Sequence, residues 1–377
     1  MRRNKNKKEP AWLKVIRIFI GLVFIFSSVV KGIDPVGTAY RVEDYLVVFG
    51  WTGMLHFSLA IALLVIISEF LLGVAFLFKA VMKLAIPAIV LMMAFFTVVT
   101  YFDAVNNWVP DCGCFGDAVK LTNLQTFYKN IILVIFLLPF IFRFSIYGKR
   151  KVYLYEWLIV IIFGAGFTFF VSYNYNHLPV VDFRNWKEGR SLKSDNSGKE
   201  KIYVTYKNKT TGETKEFLAP NYPWNDSVWM SQWTFVDQRI DDSQVIKKYD
   251  LQIEDTLGNN LTKEIVENPD YQLIIVSCYL NEADDDGLKK LHDIVSYADS
   301  RGISIVLLTA SESDEITKVL KEYGLDVPAF FADDIQLKAM IRSNPGLILL
   351  HDGTVVKKWH YNDFPSEGQL KEIIKTR

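Results

Sequence analysis

The chain has few cysteines, few histidines and no net charge, and each shortage excludes a class of protein. Three cysteines in 377 residues are too few for a disulfide-stapled secreted fold, so the soluble part must fold around its own hydrophobic core. The five histidines are scattered along the sequence, and we expect none of them to be a metal ligand. Basic and acidic residues balance at 42 each, and no basic stripe lies outside the segments that flank the membrane. A nucleic acid is therefore not an expected partner.

Long apolar runs fill the first half of the chain, whereas the half after about Asn176 has the composition of an ordinary soluble protein. No small-x-small cleavage site follows Val30, so we expect the first apolar run to be a retained helix rather than a cleaved signal peptide. Five segments approach the ~20 residues that are needed to cross a bilayer core. They are residues 12–32, 55–78, 84–102, 127–146 and 153–173.

The basic residues predict how these segments are oriented. The N-terminus, the turn at residues 79–83 and the turn at residues 143–151 are basic and lie on one side, while the opposite loops are acidic. The positive-inside rule makes the basic side cytoplasmic, so we predict a bacterial inner-membrane protein with a cytoplasmic N-terminus and a periplasmic C-terminal half. Residues 40–51 are too polar to span, and we predict an amphipathic segment at the outer interface.

Two of the three cysteines lie in one loop between apolar segments. Residues 111–117, here called the cysteine loop, have the sequence Asp-Cys-Gly-Cys-Phe-Gly-Asp. Cys112 and Cys114 would close a small, strained disulfide ring, and strained exposed disulfides tend to be labile and oxidising. Asp111 and Asp117 would raise the pKa values of the thiols. The sequence leaves a redox pair, a structural disulfide and a soft-metal site open.

Two further residues each allow a functional and a structural interpretation. Glu69 lies in the middle of the second apolar segment, where a charge needs a partner or a proton. It would relay protons to a reduced quinone, or it would be a hydrogen-bonded packing residue within the bundle. Cys278 ends a predicted strand, and we expect a small core residue there, with a resolving role toward the Cys112 pair as the alternative.

Strands and helices alternate in the last third of the chain. Apolar strands are predicted at residues 271–277, 303–308, 330–331, 347–351 and 355–359. Helices are predicted up to Gly302, around residues 316–323 and from Ser366 onward. An Asp-Gly turn at residues 352–353 joins the last two strands into a hairpin, so the pattern predicts an α/β fold with a mixed sheet. Residues 178–249 alternate short apolar runs with polar turns and predict a small β-rich module.

This order of elements, with Pro345 just before the hairpin, resembles a thioredoxin-like fold. The lead-in at residues 255–262, Asp-Thr-Leu-Gly-Asn-Asn-Leu-Thr, is similar to the start of envelope thioredoxin-like domains. The resemblance implies that Pro345 is a cis-proline and that the Asn344 backbone faces a bound extended peptide. The family's Cys-x-x-Cys pair is absent, because the corresponding turn at residues 280–285 reads Leu-Asn-Glu-Ala-Asp-Asp. The domain is therefore expected to lack dithiol activity of its own.

The first four spans, about residues 12–147, resemble the DoxX/MauE family of membrane proteins. The residues that carry the resemblance are Arg17, Gly21, Lys31, Asp34, Pro35, Glu69, Gly73 and the Cys-Gly-Cys-Phe-Gly run at 112–116. The family lies near four-helix, quinone-linked thiol oxidoreductases in architecture, and MauE is implicated in maturing a disulfide-rich subunit of methylamine dehydrogenase. The fusion to a thioredoxin-like domain resembles DoxX-type proteins of Bacteroidetes. Nothing in the sequence points to methylamine itself.

We therefore predict a membrane α-helical bundle, with a four-helix DoxX/MauE-like core and a fifth spanning helix, followed by a soluble α/β thioredoxin-like domain. The predicted boundaries are residues 1–150 for the four-helix domain and 151–176 for the fifth helix. The β-rich module would occupy residues 177–250, and the thioredoxin-like domain without Cys-x-x-Cys would occupy residues 251–377.

The predicted function is thiol–disulfide exchange or electron relay in the cell envelope. Cys112 and Cys114 would accept electrons from the thiols of envelope client proteins and pass them to a membrane acceptor, with a quinone between the helices as the candidate. In the alternative, the protein is a non-enzymatic assembly factor or scaffold with a structural disulfide and a partner-binding soluble domain. The lipid bilayer is the other expected partner, and the client, the acceptor and the oligomeric state stay open.

Overall fold

The computed structural model describes residues 9–109, 113–144, 147, 151–193, 201–241 and 251–375. Within these residues, the N-terminal part of the chain has six α-helices with described bounds. Five of them are long and apolar enough to cross a membrane, the third when taken together with the 3₁₀ turn Thr52–Phe57. They are α1 (Ala11–Ile33), α2 (Pro35–Val48), α3 (Ser58–Phe78), α4 (Met82–Asn106), α5 (Asn123–Phe142) and α6 (Leu154–Asn176). The exception is α2. The predicted membrane bundle is confirmed, and the protein is a multi-pass membrane protein.

The fourth span begins earlier than the predicted residue 127. The Thr122 hydroxyl accepts a hydrogen bond from the Gln125 N–H, and the Gln125 side chain accepts one from the Thr122 N–H. This reciprocal cap satisfies two amide groups that a helix start otherwise leaves without partners, so α5 starts at Asn123. The predicted end of this span, at residues 145–146, lies outside the described residues.

A short helix, α2, follows α1 directly. It includes most of residues 40–51, for which an interfacial segment was predicted. The Asp34 carboxylate accepts the Gly37 N–H at 2.8 Å, and Pro35 occupies the first helical position. Both features favour a helix start. The resulting helix α2 packs against α3 and α6.

Two glycines bring α1 and α3 into close contact. A Cβ atom added to Gly21 would lie 2.9 Å from the Gly73 carbonyl oxygen, and one added to Gly73 would lie 3.0 Å from the Gly21 carbonyl oxygen. Such approach is available only to residues without side chains, and small residues commonly form helix–helix contacts in membranes. The glycines therefore determine which turns of α1 and α3 face each other.

The chain after α6 first forms a three-stranded antiparallel sheet. Its strands are β1 (Lys201–Asn208), β2 (Thr214–Leu218) and β3 (Trp233–Asp241), in the order β2-β1-β3. The short helix α7 (Ser227–Gln232) places Trp229 against Tyr206 and parallel to Trp233, with ring centroids 5.0 and 5.4 Å apart. The predicted module boundaries at residues 177 and 250 stay predictions.

The remaining chain is a five-stranded mixed sheet covered by helices on both faces. The sheet order is β6-β5-β4-β7-β8, with β4, β5 and β6 parallel and the β7–β8 hairpin antiparallel. Its strands are β4 (Tyr271–Ser277), β5 (Ser304–Thr309), β6 (Ala329–Phe331), β7 (Gly346–His351) and β8 (Thr354–His360). Its helices are α8 (Thr262–Val266), α9 (Asp285–Arg301), α10 (Ser313–Tyr323), α11 (Asp334–Met340) and α12 (Glu367–Lys375). The predicted thioredoxin-like fold is confirmed, and the Asn344–Pro345 bond is cis, as the resemblance implied.

Candidate functional site

The described part of the cysteine loop, residues 113–117, is held against the C-terminal half of α1. Of the two cysteines of the loop, Cys112 lies outside the described residues, and Cys114 is half-buried. The carbonyl oxygen of Cys114 accepts a hydrogen bond from Ser27 Oγ at 2.8 Å. The loop therefore has a fixed contact with a membrane-spanning helix, between one and two turns before the end of that helix.

Glu69 lies next to this contact and is paired with a cation. Lys31 Nζ lies 2.7 Å from Glu69 Oε2, and Ser27 Oγ lies 3.3 Å from Glu69 Oε1. Only 4% of Glu69 and 6% of Lys31 is exposed, so each charge needs the other in a region where water is scarce. Glu69 and the cysteine loop, which the sequence indicated separately, are thus brought together by Ser27.

Sequence reasoning missed the roles of Ser27 and Lys31. Lys31 contributed to the family resemblance and to the predicted exit of the first helix, but no partner was assigned to it. A signal was present, because Ser27 and Lys31 are four residues apart and therefore lie on one face of α1. Glu69 also required a partner, and Lys31 lies near the C-terminal end of α1, inside a helix long enough to span the membrane.

An apolar cavity of about 230 Å³ borders the cysteine loop. It lies between α1, α2, α3 and α4, and Lys31, Thr100 and Cys114 contribute to its wall. The remaining wall is mostly aliphatic and aromatic, and includes Ile61, Val65, Phe95, Phe96 and Val99. Lys31 Nζ also lies 5.6 Å from the centre of the Phe96 ring. Arg41 is a second basic residue of the wall, so the cavity combines hydrophobic walls with two cations and the loop cysteine.

The thioredoxin-like domain contacts the same face of the membrane domain through Arg342. Arg342 Nε lies 3.0 and 2.9 Å from the two carboxylate oxygens of Asp34, and Nη2 lies 3.9 Å from Asp117 Oδ2. Burial alone would raise the pKa of the Asp34 carboxyl, but the charges of Arg342 and Arg184 outweigh it and hold that pKa below its usual value. Asp34 therefore stays ionised at the junction.

Asn344 is held within its own domain. Its Oδ1 accepts from Ser277 Oγ at 2.6 Å, and its Nδ2 donates to the Tyr279 carbonyl at 3.0 Å. Its backbone carbonyl accepts the Asp284 N–H at 2.9 Å. The side chain and carbonyl of Asn344 thus already have partners, and a contact of Asn344 and Pro345 with a client peptide stays a prediction.

Cys278 lies behind this junction, where it packs against the core of the thioredoxin-like domain. Burial raises the pKa of its thiol to about 11, although Lys338 nearby opposes the shift. The Lys338 ammonium lies 4.8 Å from the centre of the Tyr40 ring of α2. Cys278 is therefore a protonated thiol near neutral pH.

In the part of the chain that the structure describes, no group of three or more His, Cys, Asp or Glu side chains is placed to hold a metal ion. Cys112 and Asp111 lie outside that part, so the soft-metal alternative for the cysteine loop is not tested by this geometry.

Two comparisons with known proteins match parts of the chain. Residues 9–143, which include α1 to α5 and the cysteine loop, match the family model described as methylamine utilisation protein MauE. Protein TlpB of Flavobacterium psychrophilum is 30% identical to the chain over 142 residues. That match covers 34% of this chain and 35% of TlpB, so the chain spans about a third of the curated relative it matches.

Proposed function

Starting from a MauE-type membrane domain at residues 9–143 that is joined to a thioredoxin-like domain, we propose that the protein exchanges thiols and disulfides in the cell envelope. Cys112 and Cys114 form the redox pair in this proposal. The observation that carries it is the position of Cys114. Its backbone carbonyl accepts a hydrogen bond from Ser27 beside the Lys31–Glu69 pair, and the residue borders the apolar cavity.

The exchange begins with the cysteine pair as a disulfide. A client thiolate attacks one sulfur, which forms a mixed disulfide and releases the other cysteine as a thiolate. A second client thiolate then attacks the client sulfur of the mixed disulfide. The client leaves with a disulfide, and the pair keeps two electrons and, after protonation, two protons.

The cavity supports a quinone as the acceptor of these electrons. Its volume of about 230 Å³ is below the ~300–1,000 Å³ typical of small-molecule sites, so it would hold a ring group only, with the tail in lipid. Trp51 and Met54 at the cavity are 57% and 43% exposed, which places apolar surface on the side toward the bilayer. A quinone would supply a two-electron acceptor that takes up two protons as it is reduced.

Lys31 and Glu69 are suited to handle those protons. The Lys31 ammonium borders the cavity and can donate a hydrogen bond to a carbonyl oxygen there. Glu69 accepts from Lys31 and lies within 3.3 Å of Ser27, which contacts the cysteine loop. Together they form a polar connection from the loop to the cavity wall in an otherwise apolar region.

The proposed location is the bacterial inner membrane, with the cysteine loop and the soluble half in the periplasm. The basic turns at residues 79–83 and 143–151 support this orientation, because cytoplasmic loops carry an excess of Lys and Arg. The periplasm is also a compartment in which disulfides persist. The thioredoxin-like domain, which has no Cys-x-x-Cys, would bind the client rather than oxidise it.

The test is the redox state of the cysteine pair in native membranes that carry Cys278→Ala. Acid-trapped membranes are labelled with a thiol mass tag across a glutathione redox series. A pair that cycles above about −250 mV supports exchange, because exchange proteins have potentials in that range. A pair that stays oxidised well below about −300 mV is a structural disulfide and favours the scaffold alternative.

A further inference from the structure

We propose that Arg342 of the thioredoxin-like domain is a positioning residue for Cys114 of the membrane domain. Its guanidinium holds Asp34 and Asp117, and it thereby determines both the placement of the turn at residues 113–117 and the charge around it. The inference rests on the proposed function of the cysteine pair, but its physical content, the reactivity of the Cys114 thiol, is measured separately.

Arg342 has the geometry of a fixed rather than a surface arginine. Its side chain is 9% exposed, and Nε lies within 3.0 Å of both carboxylate oxygens of Asp34. Its Nη1 donates to the Lys338 carbonyl in its own domain. Its guanidinium carbon lies 5.2 Å from the centre of the Tyr40 ring of α2. Charge-assisted bonds and ring stacking together hold the planar group in one orientation.

The same guanidinium reaches the turn that carries Cys114. Nη2 lies 3.9 Å from Asp117 Oδ2, and Asp117 is three residues after Cys114. The Gly116 N–H donates to the Gly113 carbonyl at 2.9 Å, which closes the turn between the cysteine and the aspartate. A displacement of Asp117 is therefore passed directly to Cys114 through a compact piece of backbone.

The close approach of Arg342 depends on a residue without a side chain. A Cβ atom added to Gly37 would lie 2.7 Å from Arg342 Nη2 and would clash with Asp34 Oδ2. Asp34 itself caps α2 through the Gly37 N–H, so one carboxylate both starts the helix and binds the arginine. The corner between α1 and α2 thus leaves space for this one guanidinium.

The charges of Arg342, Asp34 and Asp117 affect the reactivity of the Cys114 thiol. A carboxylate close to a cysteine raises the thiol pKa, and a cation lowers it. Arg342 neutralises the acids at the edge of the turn, so its loss would leave Asp34 and Asp117 without this counter-charge. Other charged side chains lie around the turn and its anchor, and they are unchanged by substitution of Arg342. They are Lys31, Arg41, Glu69, Lys120, Lys129 and Arg184.

A role for the thioredoxin-like domain follows from this arrangement. The domain has no dithiol of its own in the turn at residues 280–285, but it supplies a charged side chain to the cysteine loop of the membrane domain. Arg342 lies two residues before Asn344, and β7 begins at Gly346. The segment that supplies the arginine is therefore the loop that precedes β7.

The experiment measures alkylation of Cys114 in the full-length protein in membranes, with Cys112→Ser and Cys278→Ala so that one thiol remains. Rates are recorded from pH 6 to pH 10, a range of about two units on each side of an ordinary thiol pKa. We expect Arg342→Gln to slow alkylation at pH 7 by about threefold to tenfold and to raise the pH midpoint by about half to one unit. Arg342→Lys, which keeps the charge, should recover part of the rate.

Two further variants separate charge from damage to the fold. Asp117→Asn should accelerate alkylation, and it should restore much of the rate when combined with Arg342→Gln. Arg239→Gln is the matched control, because Arg239 pairs with Glu216 at 3.3 Å on the exposed surface of the small sheet. It should leave the rate unchanged. A variant that only loosens the fold would not be rescued by removing an acid.

The inference is overturned if Arg342→Gln and Arg239→Gln give the same rate, or if Arg342→Gln and Asp117→Asn change it in the same direction. If Arg342→Gln fails to reach the membrane, the direction given by Asp117→Asn and Arg342→Lys decides the outcome. Failure of the proposed function has a different signature. In that case the wild-type pair does not cycle in the glutathione series, whatever the alkylation rates of the variants.

Discussion

Lys31 Nζ lies 2.7 Å from Glu69 Oε2, and this pair joins two membrane-spanning helices at the level of the cysteine loop. Both side chains are at least 93% buried. Replacing both partners of such a buried pair by apolar residues changes the stability of a protein little. Loss of one partner, in contrast, leaves an isolated charge in an apolar region.

The first prediction concerns this asymmetry. Glu69→Gln should destabilise the membrane domain by about 3–5 kcal/mol, because Lys31 loses its counter-charge, and Lys31→Met in the same chain should restore most of the loss. Thermal unfolding of the purified protein in detergent measures the difference. Ser68→Ala is the control on the neighbouring position of α3, since Ser68 bonds only to the Val65 carbonyl of its own helix. A double variant as unstable as Glu69→Gln alone would contradict the pairing.

The second prediction separates two adjacent serines. Ser27→Ala should release the Cys114 carbonyl and accelerate thiol labelling of Cys114, at a cost of about 0.5–1.5 kcal/mol in stability. Ser28→Ala should not change labelling, because Ser28 is fully buried and bonds to the Ile25 carbonyl within α1. Mass-tag labelling kinetics in membranes compare the two. Equal kinetics in both variants would show that Ser27 does not hold the loop.

The third prediction tests the cavity. Val99→Phe should fill part of the space beside Cys114 and slow reoxidation of the reduced cysteine pair by at least about tenfold. A tenfold loss corresponds to about 1.4 kcal/mol of acceptor binding free energy. Val98→Phe adds the same ring one position earlier, where the side chain is 56% exposed, and should leave reoxidation unchanged. Both rates are measured by trapping the thiols with acid at successive times after a pulse of reductant. A normal rate in Val99→Phe would exclude the cavity as the acceptor site.

The fourth prediction uses the pKa of Cys278. Because burial raises that pKa to about 11, only about one thiol in a thousand is ionised at pH 8, and alkylation of the folded protein should be slow there. The rate should climb as the pH approaches 11, whereas in urea-unfolded protein it should climb through about pH 8.5. Iodoacetamide kinetics with Cys112→Ser and Cys114→Ser measure this directly. Rapid labelling of the folded protein at pH 7 would contradict the buried position.

The sequence predicted the elements whose signal is local. Each spanning segment is a long apolar run, and each strand of the mixed sheet is a short run between turn residues, so length and composition were enough. The helix α11 was missed, since its seven residues are too few to show a helical period and its start depends on Asp333, whose carboxylate accepts from the Ile335 and Gln336 N–H groups.

The parts of the site that the sequence did not predict are contacts between distant positions. Arg342 and Asp34 are 308 residues apart, and Lys31 and Glu69 are 38 residues apart. Arg342 and Asp34 each have an ordinary exposed alternative, so one sequence gives no reason to pair them. Glu69 needs a partner in the membrane, but one sequence does not say which basic residue supplies it. The redox role of Cys112 and Cys114 also stays a prediction, because chemistry at a thiol depends on potential and access as well as on position.

The contact between Gly21 and Gly73 also determines how closely α1 and α3 approach beside the charge pair. Gly73 lies one helical turn below Glu69, and Gly21 lies between one and two turns below Ser27. A larger side chain at either glycine would push α1 and α3 apart over several turns. The ammonium and the carboxylate would then each face hydrocarbon alone. A substitution that adds only a methyl group would therefore impair insertion of the helices into the membrane, rather than only their local packing.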